Sequence, residues 1–195
     1  MDPERRFRER ARAELQGIAE QVQGLLADRD VYGRFEREVV ARREAGGAGS
    51  AFVDLVRAAY TDAMTARLMR MLDAQNSAIS LRRVLADIRV TPELLHGKLS
   101  LDELEREIAS LDRLAMRINT AFEPHFTRRG RTLPTLAASH RLIDEVVERL
   151  VAIVQTYYWV VGDKHIDLQP TYREDPLAIF RSQWPKTGTL GGSSG

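Results

Sequence analysis

Residues Ser100–Phe122 read SLDELEREIASLDRLAMRINTAF, and their spacing decides the fold. Leu101, Leu104, Ile108, Leu111, Ala115, Ile118 and Phe122 recur three and four apart. Only a helix brings that spacing onto one side. Ser100 and Glu103 form a capping-box pair that starts the helix. Pro124 disfavours the helical conformation at Glu123 and predicts the end there. The seam is nearly heptad-regular, so it suits either a core within one chain or an interface between two copies.

The same period extends in both directions. Phe7, Ala11, Leu15, Ile18, Val22 and Leu25 predict a helix from Pro3 to Ala27, with Asp2 as cap and Pro3 at its first position. Val31, Phe35 and Val39 predict a second helix from Asp30 to Glu44, and Ala45–Ser50 (AGGAGS) breaks the pattern. Ser50 then caps a helix reaching Leu72, whose apolar face is read as Phe52, Val56, Ala59, Tyr60, Ala63, Met64, Leu68 and Met71. Asn76 or Ser77 opens the next helix, with Leu81, Val84, Leu85 and Ile88 on one face. Thr91-Pro92-Glu93 begins a short turn through Leu95. After a polar loop from His125 to Pro134, a last helix spans Thr135–Val161, with Ile143, Val146, Val147, Leu150, Val154, Tyr157, Tyr158 and Val161 as its stripe. Periodicity fails from Gly162 onward, where Pro170, Pro176 and Pro185 interrupt the chain. The expected architecture is all-α: an up-down antiparallel bundle of about six helices over residues 1–162, then an irregular, proline-containing tail over 163–195.

Composition narrows the function classes. Apolar residues make up 44% of the 195, enough for a core without cross-links. There is no cysteine, which removes disulfides, thiolate metal sites and cysteine nucleophiles. The opening MDPERRFRERARAEL lacks the apolar core of a secretory signal, and no apolar run approaches the roughly 18 residues that span a bilayer. A cytoplasmic location without membrane attachment is the expectation. Net charge is +1, which argues against wholesale coating of nucleic acid but not against a local basic patch. All but three of the 29 cations are arginine, the lysines being Lys98, Lys164 and Lys186.

One interval concentrates positive charge. No acid lies between Glu123 and Asp144, whereas His125, Arg128, Arg129, Arg131, His140 and Arg141 do. Arginine forks match phosphate oxygens in pairs, so Arg128, Arg129, Arg131 and Arg141 are candidate phosphate-binding residues. A histidine among arginines suits acid–base work on a phosphodiester, which makes His125 a candidate. Asn119 can bond a loop carbonyl or a phosphate. Arg67 falls on an apolar spacing and needs a carboxylate or solvent partner. Glu93-x-x-His96 and Asp163-x-His165-x-Asp167 are fragments of metal-binding patterns, each too small for a site, and no metal or cofactor is expected. Phosphate-binding glycine loops, nucleophile elbows and His-Glu-x-x-His are absent.

The stretch AYTDAMTARLMRMLDAQNSAISLRRVLADI, preceded by DRDVYGRFEREVV and followed by the final helix DEVVERLVAIVQTYYWVVG, resembles the abortive-infection-associated, AbiU-like HEPN family over roughly residues 12–162. The resemblance implies a helical bundle, a homodimer, and a metal-independent endoribonuclease of phage defence or a toxin–antitoxin pair, with RNA and an antitoxin-type protein as partners. The family site is an arginine, often a polar residue, then four to six residues and a histidine. Here Arg117-Ile118-Asn119-Thr120-Ala121-Phe122-Glu123-Pro124-His125 supplies Asn119 and His125, with Ile118 in the arginine's place and Arg117 beside it. The catalytic set implied is His125, Arg117 and Asn119. A catalytically degenerate bundle acting as a protein-interaction or regulatory module is the other reading, and a helical bundle for a small ligand or metal the third.

Overall fold

The computed structural model describes residues 3–44, 51–73, 79–127 and 136–172. Five α-helices follow in order among these residues: α1 (Pro3–Glu44), α2 (Ala51–Leu72), α3 (Leu81–Arg89), α4 (Leu101–Thr127) and α5 (Leu136–Gly162). A single 3₁₀ turn, Pro92–Leu95, links α3 to α4, and the described residues contain no strand. The all-α bundle is therefore the observed architecture.

α4 starts as its sequence dictates. The Ser100 amide donates to Glu103 Oε2 at 2.7 Å and the Glu103 amide donates back to Ser100 Oγ at 3.2 Å. Leu104, Ile108, Leu111, Ile118 and Phe122 are all buried within the chain. Most of the seam is thus core, Leu101 at its start being 43% exposed. α1 lies along α5, α3 along α4, and α2 packs against both α4 and α5. Leu15, Ile18, Val22 and Leu25 of α1 meet Met64, Leu68 and Met71 of α2, and Ile143, Val146, Leu150 and Val154 of α5 in one core. Each such side chain contributes about 1.5–3 kcal/mol by leaving water. A smaller cluster of Tyr32, Phe35 and Val39 sits against Val53, Val56 and Tyr60.

The structure corrects four expectations. The two helices read over 3–27 and 30–44 are one helix of 42 residues. Nothing between Ala27 and Asp30 forbids helical backbone, and Leu25, Leu26 and Ala27 are buried on one side of the join with Tyr32 on the other. Asp30 pairs instead with Arg34 one turn on, at 2.8 Å. Ser80, rather than Asn76 or Ser77, caps α3: its side chain accepts from the Arg83 amide at 3.2 Å. Residues 74–78 lie outside the described residues. α4 runs past Pro124 to Thr127. The proline removes the donor that would bond the Thr120 carbonyl, and Ile118 and Phe122 hold the preceding turns in the core. Finally, the single apolar face read on α2 divides in two. Met64, Leu68 and Met71 are buried with Thr61 and Thr65, while Phe52, Ala59 and Ala63 are exposed.

Two glycines inside α1 make a paired test of this packing. A Cβ at Gly17 meets nothing within 4 Å, whereas one at Gly24 would sit 2.7 Å from Arg67 Nη2. That guanidinium is the one that pairs with Asp28 across the α1–α2 contact. Gly17→Ala is expected to raise stability by about 0.5–1 kcal/mol, the helix-propensity gain. Gly24→Ala should gain nothing, because the same benefit is offset by displacing Arg67, and should recover the gain in an Arg67→Ala background. Denaturant midpoints of the parent, the three single variants and the double variant measure this.

Candidate functional site

The described residues bring a polar cluster together where α1, α2 and α5 meet. α1 supplies Tyr32 and, one turn later, Glu36; α2 supplies Arg57, Tyr60 and Thr61; α5 supplies His140. Arg57 closes both arms of its fork on Glu36, Nε to Oε1 at 2.7 Å and Nη2 to Oε2 at 2.8 Å. The Tyr32 hydroxyl donates to Glu36 Oε1 at 2.6 Å. The Tyr32 and Tyr60 rings stack with centroids 3.8 Å apart and planes 5° apart. The His140 ring stands edge-on to both, at 5.0 Å and 5.7 Å.

The proton positions follow from donor counting. Thr61 Oγ1 gives its one proton to the Arg57 carbonyl at 2.9 Å. It therefore accepts from His140 Nε2, 3.3 Å away, which assigns the proton of a neutral ring to Nε2. Burial pushes the His140 pKa below its ordinary value, against the opposing pull of Glu36 and Asp144. Arg57 holds the Glu36 carboxyl below the usual carboxylate range. Burial raises Asp144, against the nearby Arg29, whose Nη1 lies 4.0 Å from Asp144 and 3.6 Å from Glu148. The cluster joins three helices with its charges mutually satisfied. Its arginine fork is saturated by a carboxylate, so it offers no open phosphate clamp.

Of the sequence-derived catalytic residues, the side chains of Arg117 and Asn119 are among those described. Ile118 is fully buried in the core. Arg117 is exposed and turned to α5, with Nη2 2.7 Å from Glu145 Oε2. Asn119 is exposed. Position 125 falls within the continuous α4, six residues after Asn119: about 9 Å further along the axis and about 120° around it. The side chain of His125 lies outside the described residues, as do Arg128, Arg129 and Arg131. Arg141 is exposed at the start of α5. The acid-free interval therefore splits: His140 joins the polar cluster while Arg141 faces away.

No protein-family model matches the chain, and no curated protein or solved structure matches it either.

Other residues singled out by sequence have structural partners. Arg67 pairs with Asp28, the carboxylate its position called for. Lys98 pairs with Asp163 and donates to the carbonyls of Trp159 and Val160 at 3.1 Å and 3.2 Å, closing the end of α5. His165 stacks on Trp159 with centroids 6.0 Å apart. No group of three or more metal-ligating side chains occurs among the described residues. No described helix is long and apolar enough to cross a membrane.

Sequence reasoning missed Tyr32, Glu36, Arg57 and Thr61. The available signal was local: Tyr32–Glu36 and Arg57–Thr61 are each one helical turn apart. Their convergence needs contacts 21 and 79 residues apart in the chain.

Proposed function

We propose that this chain is a HEPN-like helical module that works by binding a protein partner in the cytoplasm and does not itself cut RNA. The observation that carries this reading is the burial of Ile118, at the position where the resembling family carries its arginine. A side chain facing the core there cannot reach a phosphate. Arg117, next along, points elsewhere around the helix and already has a carboxylate in Glu145. An exposed pair of this kind is worth little, about 0–1 kcal/mol, so by itself it would not keep Arg117 from RNA. The register of α4 adds to it, since positions 119 and 125 lie on different sides of one continuous helix. The resemblance to a phage-defence family makes a regulatory or antitoxin-type role the natural setting for such a module.

The test is incubation of the purified chain with single-stranded and structured RNAs in chelator, beside His125→Ala and Arg117→Ala. The expected result is no cleavage by any of the three. Cleavage by the parent that His125→Ala abolishes would overturn the reading and restore the endoribonuclease, with RNA as the partner.

A further inference from the structure

α4 and α5 lie side by side but touch sparingly. The groove between them holds about 470 Å³, within the roughly 300–1,000 Å³ of small-molecule sites. Arg106, Glu107, Ser110 and Arg113 line it from α4, and Arg149 and Ile153 from α5. Tyr157 forms its floor. That side chain has no exposed surface, and its hydroxyl has no hydrogen-bond partner among the described residues. Burial raises the Tyr157 pKa, helped by the charges of Glu107 and Glu103 and opposed by that of Arg149. All three of those residues line the groove, so the hydroxyl is turned toward it. An unmatched buried hydroxyl is costly, and folded proteins rarely keep one without a partner.

The bonding capacity left over in this groove is mostly that of donors. Both oxygens of Glu107 accept from Arg149 Nη2, at 2.6 Å and 2.8 Å. Glu103 Oε2 accepts from the Ser100 amide at 2.7 Å and its hydroxyl at 2.9 Å. Arg149 spends one nitrogen on its pair, and Arg106 gives only Nε, to the Asp102 carbonyl at 3.2 Å. Arg113 has no partner among the described residues. Guanidinium donors above an unmatched hydroxyl call for an anionic oxygen acceptor. Beneath them, buried Ile153, half-buried Leu99 and the Tyr157 ring offer apolar surface. An inorganic ion alone would leave most of that space unfilled.

We propose that the α4–α5 groove is a binding site for a small organic anion, whose apolar body lies on Ile153 and the Tyr157 ring while its acidic oxygens accept from the Tyr157 hydroxyl and Arg113. A carboxylate and a phosphate monoester share the chemistry that these donors recognise. The inference rests on α4 and α5 alone and stands apart from the interaction-module reading.

The test is amide NMR titration of the full chain with benzoate, phenyl phosphate, inorganic phosphate and neutral benzamide. Benzoate or phenyl phosphate should shift amides of residues 103–113 and 149–157, with dissociation at roughly millimolar concentration or below. The tighter of the two identifies the acidic head. Inorganic phosphate and benzamide, each lacking half of the chemistry, should bind roughly tenfold more weakly. Tyr157→Phe keeps the ring and removes the unmatched hydroxyl. It should melt at a higher temperature than the parent without ligand, yet bind the better acid roughly tenfold more weakly. Arg113→Gln should weaken binding severalfold, whereas Arg70→Gln, on the exposed side of α2, should leave it unchanged. No shift with either acid would overturn the site. So would inorganic phosphate binding as well as the aromatic acids, or Tyr157→Phe binding as tightly as the parent. A Tyr157→Phe protein less stable than the parent would mean that the hydroxyl already has a partner, and would overturn it too.

Discussion

Ile118→Arg is expected to unfold the protein rather than to switch on an enzyme. The substitution writes the family arginine back into the motif, but the site it enters is core. Ile118 has no exposed surface and shares its side of α4 with Leu111, Leu114 and Phe122, all buried. The lost isoleucine burial costs about 2–3 kcal/mol. A guanidinium left there without a carboxylate costs about 3–5 kcal/mol more, or drags the helix outward to keep its water. Together these approach the roughly 5–15 kcal/mol that hold a domain of this size. Ile118→Val at the same position should cost only about 0.5–1.5 kcal/mol. Thermal unfolding followed by helical circular dichroism distinguishes the three proteins. If Ile118→Arg folded with a melting temperature near the parent's and cleaved RNA, α4 would have to turn about its axis without cost, and the assignment of this side to the core would fail.

The contrast between Ile118 and the polar cluster shows what a sequence carries and what it omits. α4 was legible because its information is local: a capping box, then a three-four period, each decided within a few residues. Where a local signal competed with packing, packing won. A new helix was expected to begin at Asp30 and another to stop before Pro124, yet the helix continues through both, because the residues on either side of Asp30 and before Pro124 are anchored in the core. α2 misled in another way. It carries apolar residues on two sides, and periodicity alone merges them into one broad face; only the neighbours reveal that Met64 faces inward and Ala63 outward. The cluster was not legible at all as a unit. Glu36, Arg57 and His140 each resemble ordinary surface residues in the sequence, and their meaning comes from three helices meeting.

Glu36→Ala should be the most damaging single change in that cluster, at about 2–3 kcal/mol. It removes the acceptor of Tyr32 and both acceptors of Arg57 at once. The remaining carboxylate near Arg57 is Asp54, 3.7 Å away and largely exposed, a weak substitute. Leaving a half-buried guanidinium and a buried hydroxyl unmatched costs more than the pair's net worth. In a cycle with Arg57→Ala, the double variant should therefore lose less than the two single losses added together. The pH dependence supplies a second reading of the same contacts. His140 has a depressed folded-state pKa, so the unfolded chain binds the proton more readily. Stability from its neutral form is complete above about 6.5 and is lost as pH falls through the lower folded value. Glu36 contributes in a separate window: its folded pKa is depressed, so its share is present above about 4.5 and lost below. Because Glu36 also favours protonated His140, Glu36→Ala should depress that histidine further and steepen the loss between pH 6.5 and 5, while His140→Phe should flatten it. Unfolding free energies measured across that range test both. An acid limb unchanged by either substitution would mean that His140 does not sense Glu36, and that the three helices meet without the electrostatic coupling their contacts describe.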